Sequence, residues 1–236
     1  MSDKLKLLFL SASPVEEDVL RSDVEIRKIH QRIASSLDRK RFEVTAYFAV
    51  RTSDLQRILL EHTPNILHFS GHGNEEDGIY LENDLGRATP VSGEALAGLF
   101  AAFKGTLQIV FLNGCETRAM AEAFRYIVEY TIVMKRWVSD DGAIIFATAF
   151  YQALALRRTV PDAFSLAVTQ LKIDRISEPD TPELLLGMTR VEAKPDAPKA
   201  RKKEPKHGGS GITTTITGST VRDVITLQGN NNKVKR

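Results

Sequence analysis

Residues 66–74 read ILHFSGHGN. Ile66 to Phe69 is a short apolar run, as expected of a strand buried on both faces. It ends in a small-residue turn, Ser70-Gly71-His72-Gly73, that carries a histidine. A buried strand needs no histidine at its exit, and glycine on either side of one marks a place where backbone passes close to something. The pattern recurs at residues 107–117, LQIVFLNGCET, where an apolar run exits into a glycine-bearing turn around Cys115, the single cysteine of the chain.

Other segments fit the same alternation of strand and helix. Leu5 to Leu10 is a continuous apolar run followed by Ser-Ala-Ser-Pro, which predicts a buried strand and its outgoing loop. Ser22-Asp23-Val24-Glu25 has the spacing of a capping box, and Ile26, Ile29, Ile33 and Leu37 repeat at helical spacing behind it. Phe42 to Phe48 alternates as a strand does, and Ser53 can cap a helix carrying Leu55, Ile58 and Leu59. Residues 77–92 break the rhythm with two short alternating segments around Asn83 to Gly86, which predicts an inserted β-hairpin; Ser92 then opens a helix over 93–103. A helix over 116–129, a strand over 131–134, and helices capped at Ser139 or Asp140 and at Thr159 complete the pattern. The expected fold is α/β, with a mostly parallel sheet covered by helices on both faces.

In such a sheet the carboxyl ends of the strands share one edge, where ligands bind. If the strands ending at Phe69 and Leu112 are neighbours, roughly 5 Å apart, His72 and Cys115 meet above that edge. The imidazole can then take the thiol proton or stabilise the thiolate. Cys115 would stand at the start of the following helix, a position that lowers a thiol pKa. The backbone N–H groups of Gly73 and Cys115 are candidates for an oxyanion hole. A lone cysteine after a strand is usually a buried hydrophobe and a lone loop histidine usually solvated; their equivalent positions favour the catalytic reading. His68, inside the strand, is read as structural, bonding a neighbouring carbonyl.

At HFSGHG and VFLNGCET the chain resembles the His and Cys motifs of the CHAT domain, a caspase-like, separase-like group of cysteine peptidases common in prokaryotes. The likeness extends over roughly residues 4–187, through LLFLSASPVEEDVLRSDVEIRKI at one end and VMKRWVSDDGAIIFATAFYQALALRRTVPDAFSLA at the other. It implies a caspase-like fold, a His72–Cys115 dyad and peptide-bond hydrolysis through an acyl-enzyme. No cofactor is expected, and with a single cysteine a structural zinc site is not expected either. Several caspase-like relatives that cleave after basic residues carry an aspartate two positions before the cysteine, where this chain has Asn113. Asp140 or Asp141 can supply a negative charge to the substrate pocket instead, or can serve the helix start.

Residues 1–190 are expected to form the peptidase domain. From residue 191 the composition changes: 191–211 is rich in Lys, Pro and Gly, as linkers are, and 212–236 is rich in Thr, Val and Ile, lacks proline and holds an asparagine run. That last segment has the character of chains that stack into cross-β ladders. Its order of Gly218, Val221, Val224, Ile225, Leu227, Gly229 and Asn230 resembles the short amyloid signalling motifs of prokaryotic death effectors. The resemblance implies a matching motif on an NTPase-type immune receptor as partner, and self-association through the tail.

Charge is unevenly placed: residues 191–236 carry ten Lys/Arg against four Asp/Glu, which leaves 22 against 26 in residues 1–190. A mildly acidic body argues against a nucleic-acid binder. No apolar run reaches membrane-spanning length, and residues 1–14 lack the features of a signal peptide, so a cytoplasmic protein is expected. Two other function classes compete with a regulated effector peptidase. One is a catalytically silent adaptor built on the same fold; the other is a phosphate binder, disfavoured by the absence of GxxxxGK[ST] and GxGxxG after any strand.

Overall fold

A computed structural model describes residues 4–188; the expected linker at 191–211 and motif at 212–236 lie outside the described residues. The strands are β1 (Leu5–Ser11), β2 (Phe42–Tyr47), β3 (Ile66–Ser70), β4 (Gly73–Asn74), β5 (Gly78–Glu82), β6 (Ala88–Val91), β7 (Ile109–Asn113), β8 (Tyr130–Met134) and β9 (Pro182–Leu186). The helices are α1 (Ser22–Ala34), α2 (Thr52–His62), α3 (Gly93–Ala101), α4 (Arg118–Ala121), α5 (Asp140–Ala155) and α6 (Val160–Ile173).

Six strands form the main sheet in the order β2-β1-β3-β7-β8-β9, parallel except for β9, which runs antiparallel to β8. The alternation of side chains along each strand sends Leu8, Leu10, Leu67, Phe69, Val110 and Leu112 to the layer holding α2 and α3. Leu7, Phe9, Ile66, Ile109 and Phe111 face the opposite layer, with Ile29 and Ile33 of α1, Phe146 and Phe150 of α5, and Leu171 of α6. Burial on both faces is why these strands read as continuous apolar runs. The predicted hairpin is present as β5 and β6, and β4 joins it in a small three-stranded antiparallel sheet.

Three helix starts are as the sequence indicates: Ser92, Ser139 and Thr159 each accept a hydrogen bond from a first-turn N–H. Four expectations need correction. The capping box at Ser22 does not form, because Arg21 occupies the cap position without a side-chain bond and Ser22 instead accepts a hydrogen bond from Ser11. Helix α2 likewise starts at Thr52 without a capping side chain, so Ser53 lies inside it. Leu37 is 95% exposed, since α1 ends at Ala34. The helix expected over 116–129 shrinks to α4 and a 3-10 turn at Glu122–Phe124, because Thr117 is drawn into backbone contact with the end of β8.

Candidate active site

Strands β1, β3, β7 and β8 all release their loops at one edge of the sheet, as parallel strands must. A cleft of about 500 Å³ opens there. His72 and Cys115 both line it, so the structure brings the two predicted residues together. Their strands are direct neighbours in register, with Ser70 opposite Asn113.

The glycines hold the two turns in contact. A methyl group on Gly114 would lie 2.8 Å from the Gly71 carbonyl oxygen and 3.6 Å from the His72 carbonyl carbon. One on Gly73 would lie 2.9 Å from the Gly78 carbonyl oxygen and 3.3 Å from that of Cys115. The turns therefore press backbone against backbone, and any side chain would part them. Thr117, fully buried, anchors the second turn: its N–H donates to the Met134 carbonyl at 3.1 Å, and its hydroxyl accepts from the Met134 N–H at 3.3 Å.

His72 Nε2 lies 2.7 Å from the carbonyl oxygen of Asp18 in the loop after β1. A carbonyl only accepts, so Nε2 carries the hydrogen and Nδ1 is the basic nitrogen of the neutral ring. Glu17 Oε2 stands 3.8 Å from Nδ1. Cys115 is half-buried and free. Burial pushes its thiol pKa up, the main-chain N–H of Val138 pulls it down, and the charges of Glu116 and Asp140 push it up again. The lowering expected from a helix start is absent. Glu116 adopts a left-handed φ of 53°, and α4 begins only at Arg118.

Of the predicted oxyanion donors, Cys115 lies on the cleft and Gly73 beside it. Tyr80 N–H donates to the His72 carbonyl at 3.0 Å, so Gly73 and Ile79 form the following, non-hydrogen-bonded pair of the β4–β5 ladder. The N–H of Gly73 is directed away from β5, free of the ladder.

The three substrate-pocket candidates separate. Asp140 lines the cleft, and its carboxylate accepts from the Arg21 N–H at 3.4 Å. Asp141 is turned to the surface, 68% exposed and paired with the Arg21 guanidinium at 3.1 Å. Neither caps α5, a task taken by Ser139. Asn113 lies on the cleft floor and donates to Glu25 Oε1 at 2.6 Å.

Glu25 escaped the sequence reading, which assigned it to a capping box. It lies 2% exposed on the α1 face shared with Ser22, Ile29 and Ile33. Besides Asn113 it accepts from Ser70 Oγ at 2.7 Å, and His68 Nε2 stands 3.1 Å from Oε1 at ion-pair distance without hydrogen-bond alignment. His68 stacks on Phe9 and meets the hydroxyl of fully buried Tyr151 at 3.1 Å through Nδ1. It is structural as expected, although its partners are side chains and not a carbonyl. Burial and the Glu25 charge hold the Tyr151 phenol well above its usual range, so the hydroxyl stays protonated. The available signal for Glu25 was its position four residues before Ile29, on the helix face that points inward. The loop after β8 was also missed: Trp137, 64% exposed, lines the cleft, as does Val19.

Comparison with known proteins matches residues 10–200 to the CHAT domain family. A Roc-COR-CHAT protease of an unknown prokaryotic organism is 27% identical over 175 residues, 71% of this chain and 16% of that protein. A probable protease of Gillisia limnaea is 22% identical over 150 residues, 63% of this chain and 26% of that protein. The chain thus spans about a quarter or less of these relatives. Among solved structures, a secreted C11 cysteine protease from Bacteroides thetaiotaomicron, in complex with an irreversible peptide inhibitor, superposes with a TM-score of 0.58 at 9% identity, over 78% of this chain and 66% of that one. Caspase-1 from Spodoptera frugiperda gives 0.54 at 11% identity, over 80% and 92%. The fold is caspase-like.

Proposed function

Because the chain belongs to the CHAT domain family, we propose that it is a cysteine endopeptidase that hydrolyses a protein substrate through the His72–Cys115 dyad. The observation that carries this reading is a histidine and a half-buried thiol on mutually pressed turns at adjacent strand ends, opening into one cleft. Burial keeps the resting Cys115 protonated near neutrality, so its proton must leave as the nucleophile forms. His72 Nδ1 takes that proton, while Nε2–H stays bonded to the Asp18 carbonyl and fixes the ring. Sγ attacks the scissile carbonyl carbon, and the N–H groups of Gly73 and Cys115 receive the oxyanion. The C–N bond breaks as His72 returns the proton to the leaving amine, and water, deprotonated by His72, then hydrolyses the thioester.

Within the same proposal the enzyme is a regulated effector of prokaryotic immune or cell-death signalling, acting in the cytoplasm. Residues 212–236 recruit it to an NTPase-type receptor bearing a matching motif, or into a homo-oligomer. A relative whose name joins CHAT to Roc and COR supports reading this domain as one coupled to further parts. No helix among the described residues is long and apolar enough to cross a membrane.

The test is intact mass of wild type, His72→Ala and Cys115→Ala after exposure to peptidyl electrophiles with Arg, Lys, Asp or Leu at P1, with and without assembled tail peptide. The expected result is one adduct on Cys115, formed about 100-fold more slowly or worse in His72→Ala. Labelling no faster than by a generic thiol reagent, even with tail peptide present, favours the silent adaptor.

A further inference from the structure

Of the acidic side chains that line the cleft, Glu17, Asp18, Glu25 and Asp140, only Glu25 is almost wholly buried. It lies at the cleft floor; its hydrogen-bond donors, Ser70 and Asn113, are neutral, and His68 Nε2 stands 3.1 Å from Oε1 without hydrogen-bond alignment. Among the described residues no lysine or arginine pairs with it. A buried carboxylate held by neutral donors is stabilised further by any cation brought to it, because attraction is strong where water is excluded. Next to it, Asn113 is 6% exposed and its Oδ1 is buried without a donor. An unfilled acceptor beside a buried carboxylate is an arrangement that asks for several N–H groups at once.

We propose that the cleft floor is the subsite for a cationic side chain of the substrate, arginine before lysine at P1, and that Glu25 is the residue that selects it. This rests on the peptidase reading. Asn113 ends β7 two residues before Cys115, so the side chain adjoining the scissile carbonyl is the one that reaches the floor. A guanidinium carries five N–H donors in a planar fork and can serve Glu25 and Asn113 Oδ1 together, whereas an ammonium is a single point of charge. An acidic P1 side chain meets like charge, and an apolar one leaves Oδ1 unpaired. Of the other two candidate acids, the Asp141 side chain pairs with the Arg21 guanidinium, while Asp140 lines the cleft and, among the described residues, accepts only from the Arg21 main chain, so Asp140 is the rival anion that the test must separate from Glu25. Here the negative charge comes from α1 and not from the residue two before the cysteine. Asn113 links the two positions by donating to that carboxylate.

The test uses the full chain with Cys115→Ala, so that binding is read without chemistry. Calorimetry compares two peptides that differ only in arginine or its neutral isostere citrulline at P1. The arginine peptide is expected to bind about tenfold or more tightly. Glu25→Gln in that background should bring the two within about twofold, while Asp140→Asn and Asp141→Asn should leave the ratio as it was. If Glu25→Gln does not fold, Glu25→Asp, which keeps the charge but draws it back by one methylene, must narrow the ratio. Equal affinity for the two peptides, no binding of either, or a preference that survives Glu25→Gln overturns the assignment. The two readings fail differently: arginine-selective binding without labelling of Cys115 in wild type sinks the peptidase and keeps the subsite, and labelling without arginine selectivity does the reverse.

Discussion

The two faces of the main sheet are built from the same strands, yet among the described residues the candidate dyad adjoins the polar end of one of them. Towards α2 and α3 the strands stay apolar to their ends, with Leu8 and Leu10, Leu67 and Phe69, Val110 and Leu112. Towards α1 and α5 each begins apolar and turns polar at its last position or two: Ser11 after Phe9, His68 and Ser70 after Ile66, and Asn113 after Phe111. Helix α1 meets that polar edge with Ser22 and Glu25. Buried polar groups need arranged partners, so this edge depends on Glu25 reaching Ser70 and Asn113, while the other face needs only volume and shape. Stability and activity should therefore separate by face.

The largest effect that tests the separation is on the apolar face. Leu67→Ala removes a buried side chain from the α2–α3 layer and should cost about 2–5 kcal/mol, read as a lower unfolding midpoint. Labelling of Cys115 in the protein that remains folded should stay within about twofold of wild type. If labelling collapsed while the fold held, the faces would not be independent.

A smaller change in stability with a larger one in function is expected at the polar edge. In Gly114→Ala the added methyl falls 2.8 Å from the Gly71 carbonyl oxygen and must push the cysteine turn off the histidine turn. A displacement near 1 Å at reacting groups costs on the order of 100-fold in rate, so kcat/KM should drop by about that factor. The midpoint should fall by less than in Leu67→Ala. An active Gly114→Ala enzyme would mean that the contact between the turns does not set the dyad.

Much of this contrast was legible in the sequence. The apolar runs of β1, β3 and β7 need burial on both faces, and the glycines around His72 and Cys115 mark the exits that meet. Glu25 was not legible, because its partners Ser70 and Asn113 lie 45 and 88 residues further along the chain while Ser22 at three residues offers a local alternative. Local hydrogen-bond patterns carry no information about which strand ends the helix will cross. The segment after Cys115 failed for a related reason: its helical composition is overruled where Thr117 bonds to Met134. Strand β9, five residues opened by proline, exists through its pairing with β8, and such an edge strand leaves little signal of its own.

The smallest effect concerns the thiol itself, and it decides how the polar edge acts on the nucleophile. Burial, followed by the charges of Glu116 and Asp140, raises the Cys115 pKa above its ordinary value. Alkylation by a small neutral reagent such as iodoacetamide follows the thiolate fraction, so its rate should climb with pH and reach half-maximum above the value found for the unfolded chain. A raised pKa means that the fold favours the protonated thiol. The stability this contributes is whole below the unfolded pKa and is lost as pH rises through the folded one, a loss that Cys115→Ala should not show. Asp140→Asn removes one of the two opposing charges and should move the half-maximum down, while the Val138 N–H continues to pull in the same direction. A half-maximum below the unfolded value would instead mark a preformed thiolate. The proton would then already be on His72 at rest, and the Asp18 carbonyl and Glu17 carboxylate would be holding an imidazolium instead of orienting a neutral base.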